Sequence, residues 1–159
     1  MIVTINTDAS YHPKFKVAAF AFWIVSNEGR ICHSGSLKKK LHRPEQAEFQ
    51  CIINAFHVLG KQGYKNISKI IVNTDCLNVI HLVNGDKKAI QKYRLASWGN
   101  HLVERLFSVK RKFKMTKIPC EFRHVPSHVD TDTKKRWVNE WCDRQAKYHL
   151  WKLINGNNK

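Results

Sequence analysis

Four acidic residues, Asp8, Glu48, Asp75 and Asp143, carry the chemistry this sequence offers. Asp8 ends an apolar-alternating run, Ile2-Val3-Thr4-Ile5-Asn6-Thr7-Asp8, and Asp75 ends a second strand-like run, Ile70-Ile71-Val72-Asn73-Thr74-Asp75. Glu48 and Asp143 each lie inside an amphipathic helical pattern. The chain of 159 residues has 12 Asp+Glu against 28 Lys+Arg. A third of its acids therefore sit at or inside elements expected to pack, where an unpaired carboxylate is costly to bury. Carboxylates that converge need something to offset their repulsion, and a hard divalent cation is the usual answer. Two strand-end acids and two helix acids could cage one or two Mg2+ ions. Paired metals about 3.5–4 Å apart stabilise the attacking and leaving oxygens of a phosphodiester displacement, and Mg2+ shares carboxylates readily with substrate phosphates.

Each acid alone also has a plain structural reading. Asp75 could cap the helix that follows it, Asp143 could pair with Arg144, Lys147 or Arg136, Glu48 could be a boundary helix residue, and Asp8 could begin a turn. The four together, in this order of elements, are the stronger signal.

The elements that must position them follow from hydrophobic periodicity. Residues 1–8 read as a strand, and 17–27 are nearly continuously apolar, as in a strand covered on both faces. After the turn signal Asn27-Glu28-Gly29, residues 30–37 complete a hairpin. Pro44 and Glu45 open a helix whose stripe is Phe49, Ile52, Ile53, Phe56 and Leu59, with stop signals at Gly60 and Gly63. Residues 69–74 read as a central strand, 76–83 as a short helix, 88–113 as one helix or two, 117–124 as a fifth strand and 125–137 as a loop. A last helix starts at 138. The order β-β-β-α-β-α-α-β-α predicts an α/β domain on a five-stranded mixed sheet, three antiparallel strands then two parallel, flanked by helices. One domain is expected over 1–154, with a disordered tail at 155–159. Asp8 and Asp75 then lie at C-terminal strand ends, the rim where sites form in open α/β sheets. Glu48 sits at the edge of a buried stripe, and Asp143, followed by Ala146 and Leu150, points inward.

The net charge is +16 with a pI near 9.9. Such a field attracts polyanions, nucleic acid first, with an anionic membrane surface as the competitor that charge alone does not separate. From Lys87 to Lys117 there are ten Lys+Arg and one acid, Glu104. Phosphate contact is expected from Lys87, Lys88, Lys92, Arg94 and Arg105, with Trp98 among the interleaved aromatics Tyr93, Phe107 and Phe113; the alternative is a solvated helix face with its aromatics turned inward. A smaller cluster is Lys38-Lys39-Lys40 with His42 and Arg43. Five cysteines without CxxC spacing argue against a zinc site or a disulfide framework. No run reaches a membrane span and no secretory signal is visible, so a cytoplasmic or nucleoid-associated monomer is expected.

Five segments bring a family into view: Ile5-Asn6-Thr7-Asp8-Ala9-Ser10, Gln46-Ala47-Glu48-Phe49, Val72-Asn73-Thr74-Asp75, Val125-Pro126-Ser127-His128 and Asn139-Glu140-Trp141-Cys142-Asp143-Arg144-Gln145-Ala146. With the element order they resemble type 1 ribonuclease H. The resemblance implies hydrolysis of the RNA strand of RNA–DNA hybrids with two Mg2+ or Mn2+ ions, leaving 5′-phosphate and 3′-hydroxyl ends. It implies that Asp8 bridges the metals, that Glu48, Asp75 and Asp143 complete their shells, and that Ser10, Gln46 and Asn139 lie along the nucleic acid or beside the site. His128 matches the family's loop histidine, suited to proton transfer because imidazole titrates near neutral pH; His124, ending the fifth strand, is the alternative. The basic 87–117 segment falls where some members carry a basic protrusion that grips the hybrid.

The departures are specific. No glycine follows Asp8 in Tyr11-His12-Pro13-Lys14-Phe15-Lys16, Pro44 stands where an Asn often contacts nucleic acid, and Leu77 stands where a polar residue is common. The loop between His128 and Asp143 is longer than usual, with Asp130 and Asp132 expected as surface acids. Contacts to the 2′-OH distinguish RNA from DNA, so two further expectations stay open: a nuclease of this fold acting on DNA or structured junctions, and a non-catalytic hybrid-binding module. The four acids oppose the last, because a pure binder gains nothing from a negative pocket against phosphate.

Overall fold

The structure, a computed structural model, describes residues 1–96, 99–115, 117–126 and 133–156, with the side chains of 100, 112–115 and 133–136 outside that set. The elements are β1 (Ile2–His12), β2 (Val17–Ser26), β3 (Gly29–Ser36), α1 (Pro44–Lys61), β4 (Lys69–Thr74), α2 (Leu77–Val83), α3 (Lys87–Leu95), α4 (Gly99–Met115), β5 (Cys120–His124) and α5 (Thr133–Gly156). They form a five-stranded sheet of order β3-β2-β1-β4-β5. β1, β2 and β3 pair antiparallel, and β4 and β5 join parallel, as the apolar runs and crossover helices predict.

The sheet is covered on both faces, and β2 shows how. Phe22 and Ile24 pack with Phe49, Ile52 and Phe56 of α1 and with Leu102, Val103 and Leu106 of α4. Their neighbours Ala21 and Trp23 pack with Cys142 and Ala146 of α5. Alternate residues of a strand point to opposite faces, so the continuous apolar run of β2 serves two cores. A third cluster, Ala18, Leu41 and Ala47, closes the sheet end over the start of α1.

Several boundaries differ from the sequence reading, each for a tertiary reason. β1 runs to His12 because β2 continues to pair with it, Asp8 opposite Ala21 and His12 opposite Val17; Asp8 is therefore inside a strand, not at its end. The 88–113 pattern is two helices. Asp86 caps α3 through Oδ1, which accepts from the Ala89 N–H at 2.8 Å, and the chain turns into α4 at Gly99, packed so tightly on the Tyr93 backbone that no Cβ could be accommodated. β5 begins at Cys120, the first residue in register with β4. α5 starts at Thr133, within the expected loop, and runs through Gly156, into the expected tail.

Phe49 is fully buried and meets Tyr93 edge-on with ring centroids 5.1 Å apart, tying α1 to α3 one residue from Glu48. Phe49→Ala should cost about 3–5 kcal/mol, the range for a buried aromatic truncated to Ala, seen in urea titration as a lower midpoint at unchanged slope.

Candidate active site

Parallel pairing sets the first two acids side by side. β1 and β4 are in register from Ile2 with Lys69 to Asn6 with Asn73, so two residues further on each chain come Asp8 and Asp75. Beneath them the strands are joined by side chains as well as backbone. Asn73 Nδ2 donates to Asn6 Oδ1 at 2.9 Å, and Thr7 Oγ1 donates to the Asn73 carbonyl at 3.3 Å. β4 ends at Thr74, leaving Asp8 held by β2 on one side and open on the other. α1 lies across this opening and delivers Glu48.

Asp8, Glu48 and Asp75 each bring a carboxylate oxygen within 4.8 Å of the others. Glu48 is the most enclosed: Oε1 accepts from the Ala9 N–H at 3.2 Å, and Oε2 is buried without a hydrogen-bond partner among the described residues. The Ala9 N–H also donates to Asp8 Oδ1 at 2.9 Å, so one amide serves two carboxylates. At these separations two ionised carboxylates repel by about 3 kcal/mol at an effective dielectric of ~20. Burial, then repulsion from Asp75 and Asp143, pushes the Asp8 carboxyl up to about 7. Burial, then Asp75 and Asp8, holds Glu48 well above the ordinary carboxylate range. Asp75 is raised mainly by burial, partly offset by a backbone hydrogen bond and by His124.

Asp143 stands at the rim. Its field reaches Asp8 and Asp75, yet it is outside the convergent set. Its Oδ2 accepts from Lys147 Nζ at 2.8 Å, with the aspartate side chain 40% exposed. The inward direction expected from Ala146 and Leu150 is thus only partly realised, and the i,i+4 pairing weighed as an alternative is present. His128 and Trp98 lie outside the described residues, as do Asp130 and Asp132. His124 ends β5 with Nε2 3.2 Å from the Asp75 carbonyl oxygen, so the alternative histidine stands beside one of the acids. Ser10 and Asn139 are half-buried, and Gln46 Oε1 accepts from the His42 N–H at 2.9 Å, so its carbonyl end is engaged by the protein itself.

Two cysteines belong to the frame of the site. Cys51 Sγ donates to the Asp8 carbonyl at 3.5 Å and Cys142 Sγ to the Asn6 carbonyl at 3.8 Å. Both are buried, and burial pushes their thiols up, so they remain protonated donors. Sequence alone marks them as small core residues; their place beside the acids becomes visible only when α1 and α5 are docked on opposite faces of β1.

The basic segment divides. Lys87, Lys88, Lys92, Arg94 and Arg105 are all exposed. Arg94 pairs with Glu104 at 3.2 Å, and Arg105 Nη1 donates to Gln50 Oε1 at 3.2 Å, which holds α4 against α1 half a turn beyond Glu48. Tyr93 is buried and Phe107 packs against the core, so these two aromatics turn inward while the cations face out.

With this geometry in place, comparison with known proteins is decisive on family. Residues 6–130 match the reverse transcriptase-like family. The chain belongs to that family. No curated protein matches it in sequence. Its structure is similar to the N-terminal RNase H domain of Rv2228c from Mycobacterium tuberculosis, at TM-score 0.73 and 14% identity, covering 98% of each chain. It is also similar to RNase H1 of the halophilic archaeon Halobacterium salinarum NRC-1, at TM-score 0.62 and 19% identity over 94% of this chain and 98% of that one. LC11-RNase H1, solved in complex with an RNA/DNA hybrid, matches at TM-score 0.66 and 16% identity over 96% and 99% of the two chains. The fold is that of ribonuclease H, as the resemblance implied.

The donors fit a hard divalent cation: three carboxylates within reach of one another, one with a buried oxygen that has no hydrogen-bond partner among the described residues. The pH dependence follows. A carboxyl raised in the folded state binds a proton more tightly than in the unfolded chain, so its favourable contribution is present below the unfolded value near 4 and is lost as pH rises through about 7. In EDTA, Asp8→Asn should therefore raise the melting temperature at pH 8, by roughly 2–6 °C, and make little difference at pH 4. Millimolar Mg2+ should stabilise the native protein at pH 8 and the variant much less. Calorimetry across pH checks both; equal responses of the two proteins to Mg2+ would remove Asp8 from the metal site.

Proposed function

We propose that this protein is a divalent-metal-dependent endonuclease that hydrolyses the RNA strand of RNA–DNA hybrids. The observation that carries the reading is the buried Glu48 Oε2, without a hydrogen-bond partner among the described residues and beside two further carboxylates. A fold could retain such a repulsive group without benefit only at a cost in stability. The ribonuclease H fold supports it, as does the capture of the similar LC11-RNase H1 with an RNA/DNA hybrid. Bound Mg2+ or Mn2+ would polarise the scissile phosphate and lower the pKa of an attacking water. Asp8, Glu48 and Asp75 would hold two such ions, with Asp143 as the fourth ligand, since its exposed pairing with Lys147 is of the kind that contributes little. Glu48 is fixed by the Ala9 amide, and Asp75 by the Asn6–Asn73 pair below it and by His124 behind it. His128 serves proton transfer in this reading. The exposed cations of α3 and α4 grip phosphates beside the acids.

A second reading has its own observation. Leu77, next but one to Asp75, is 49% exposed, Pro44 is exposed at the start of α1, and β1 keeps side chains where the family has glycine. An apolar side chain at that position offers a 2′-OH no hydrogen bond. Weak discrimination between RNA and DNA follows, and with it some action on DNA.

Labelled hybrid, double-stranded RNA, double-stranded DNA and single strands, each incubated with Mg2+ and with EDTA, separate these readings. Metal-dependent cutting of the hybrid alone supports the first, and cutting of DNA as well supports the second. Metal-independent binding of hybrid with no cleavage of any substrate sinks both. Asp8→Asn should lower turnover by at least roughly a hundredfold while hybrid binding in EDTA survives. For the basic segment, Lys88→Ala with Lys92→Ala should weaken hybrid binding uniformly across sequences and reduce the slope of log affinity against log salt by about one per lost phosphate contact. An unchanged slope would show that α3 does not touch the backbone.

A further inference from the structure

α5 carries a surface that the acid pocket does not explain. The exposed large aromatics among the described residues are Trp137 at 47%, Tyr148 at 52% and Trp151 at 62%, and all three lie on this one helix. With Arg144 they recur at spacings of seven, four and three, which places them within an arc of about 60° on the side away from buried Cys142 and Ala146. Trp137 leans edge-on against buried Trp23, with ring centroids 5.1 Å apart. Lys152 Nζ stands 5.4 Å from the centre of the Tyr148 ring. Arg144, Lys147 and Lys152 are exposed along the strip. Glu140, the acid on this side, is itself engaged.

We propose that this aromatic and cationic strip binds unpaired nucleic acid, namely a single strand that continues from the duplex at the acid pocket. Flat aromatic faces with cations between them suit a polynucleotide, because every base can stack on an aromatic ring and every linkage carries a negative charge. A second copy of this chain is a poor occupant, because each copy carries a formal charge of +16 and the strip is itself cationic. The strip is continuous with the pocket: Lys147 pairs with Asp143 on its inner side and is the chain neighbour of Tyr148. A strand leaving the acids crosses Lys147 before it reaches Tyr148 and Trp151, which rise about 4.5 Å apart along the helix axis. The strip rests on the hydrolase reading only for where the duplex lies; stacking requires neither metal nor cleavage.

Binding in EDTA tests it by fluorescence anisotropy. Labelled RNA–DNA hybrid with blunt ends is compared with the same hybrid bearing a ten-nucleotide single-stranded DNA tail at either end, for the native protein, for Tyr148→Ala with Trp151→Ala, and for Tyr148→Phe with Trp151→Phe. One tail should tighten binding to the native protein by about tenfold, the scale of one stacked base. The alanine pair should lose that gain and bind the blunt hybrid as before, and the phenylalanine pair should keep much of it, because stacking needs the ring and not the hydroxyl or indole N–H. Circular dichroism checks that the alanine pair is folded; if it is not, the single variants Tyr148→Ala and Trp151→Ala take its place. A gain that survives ring removal, or no gain from either tail in the native protein, overturns the proposal while leaving the hydrolase reading intact. Failure to bind even the blunt hybrid counts against both. Light scattering that shows a dimer dissolved by the alanine pair would assign the strip to self-association and overturn the proposal.

Discussion

The carboxylate of Glu48 lies under the sheet rim with one oxygen on the Ala9 amide and the other, among the described residues, without a hydrogen-bond partner. Its neighbours are two more carboxylates, and the Ala9 amide that relieves it is shared with Asp8. The consequence is a site that holds protons near neutral pH unless something more strongly charged displaces them. A divalent ion is the partner that turns this repulsion into binding energy. The rest of the structure can be understood as the frame that keeps the three groups from moving apart.

That frame is built from both sides of one strand. β1 is central in the sheet, bonded to β2 along its length and to β4 only as far as Asn6. The early end of β4 opens the gap in which Asp75 meets Asp8, while the Asn6–Asn73 amide pair and the Thr7 hydroxyl hold the strands together just below it. α1 presses down from one face with its apolar stripe and α5 from the other with Cys142 and Ala146. Because side chains of a packed interior have few alternative positions, the acids are held in place largely by apolar contacts that do not touch them.

Electrostatics works on two scales here. Within the pocket the field is negative and short-ranged; over the surface it is positive, with the exposed cations of α3 and α4 on one flank and those of α5 on the other. A polyanion is drawn to the surface as a whole and meets the acids only where a cation can mediate. The aromatics divide in the same manner: Tyr93 and Phe107 turn into the core between α1, α3 and α4, whereas Trp137, Tyr148 and Trp151 stay outside on α5.

Much of this was legible in the linear sequence, because it depends on periodicity and chemistry that neighbours in the chain already express. The strands, the helix opened by Pro44, the five-stranded mixed sheet and the scarcity of acids in a cationic chain all have local signatures. The length of β1 beyond Asp8 was not legible, since it comes from pairing with β2; nor was the break before Gly99, which depends on the close approach of the Tyr93 backbone. The pairing of Asp143 with Lys147 was one of several that the spacing allowed, and only the structure selects it; the thiols beneath Asp8 and Asn6 were hidden. Sequence by itself determined which residues could share an ion and which elements would carry them. Only the tertiary structure decided that three of the acids meet while the fourth waits at the rim, because distances between residues 27 or more positions apart are set by how helices pack on the sheet and not by spacing along the chain.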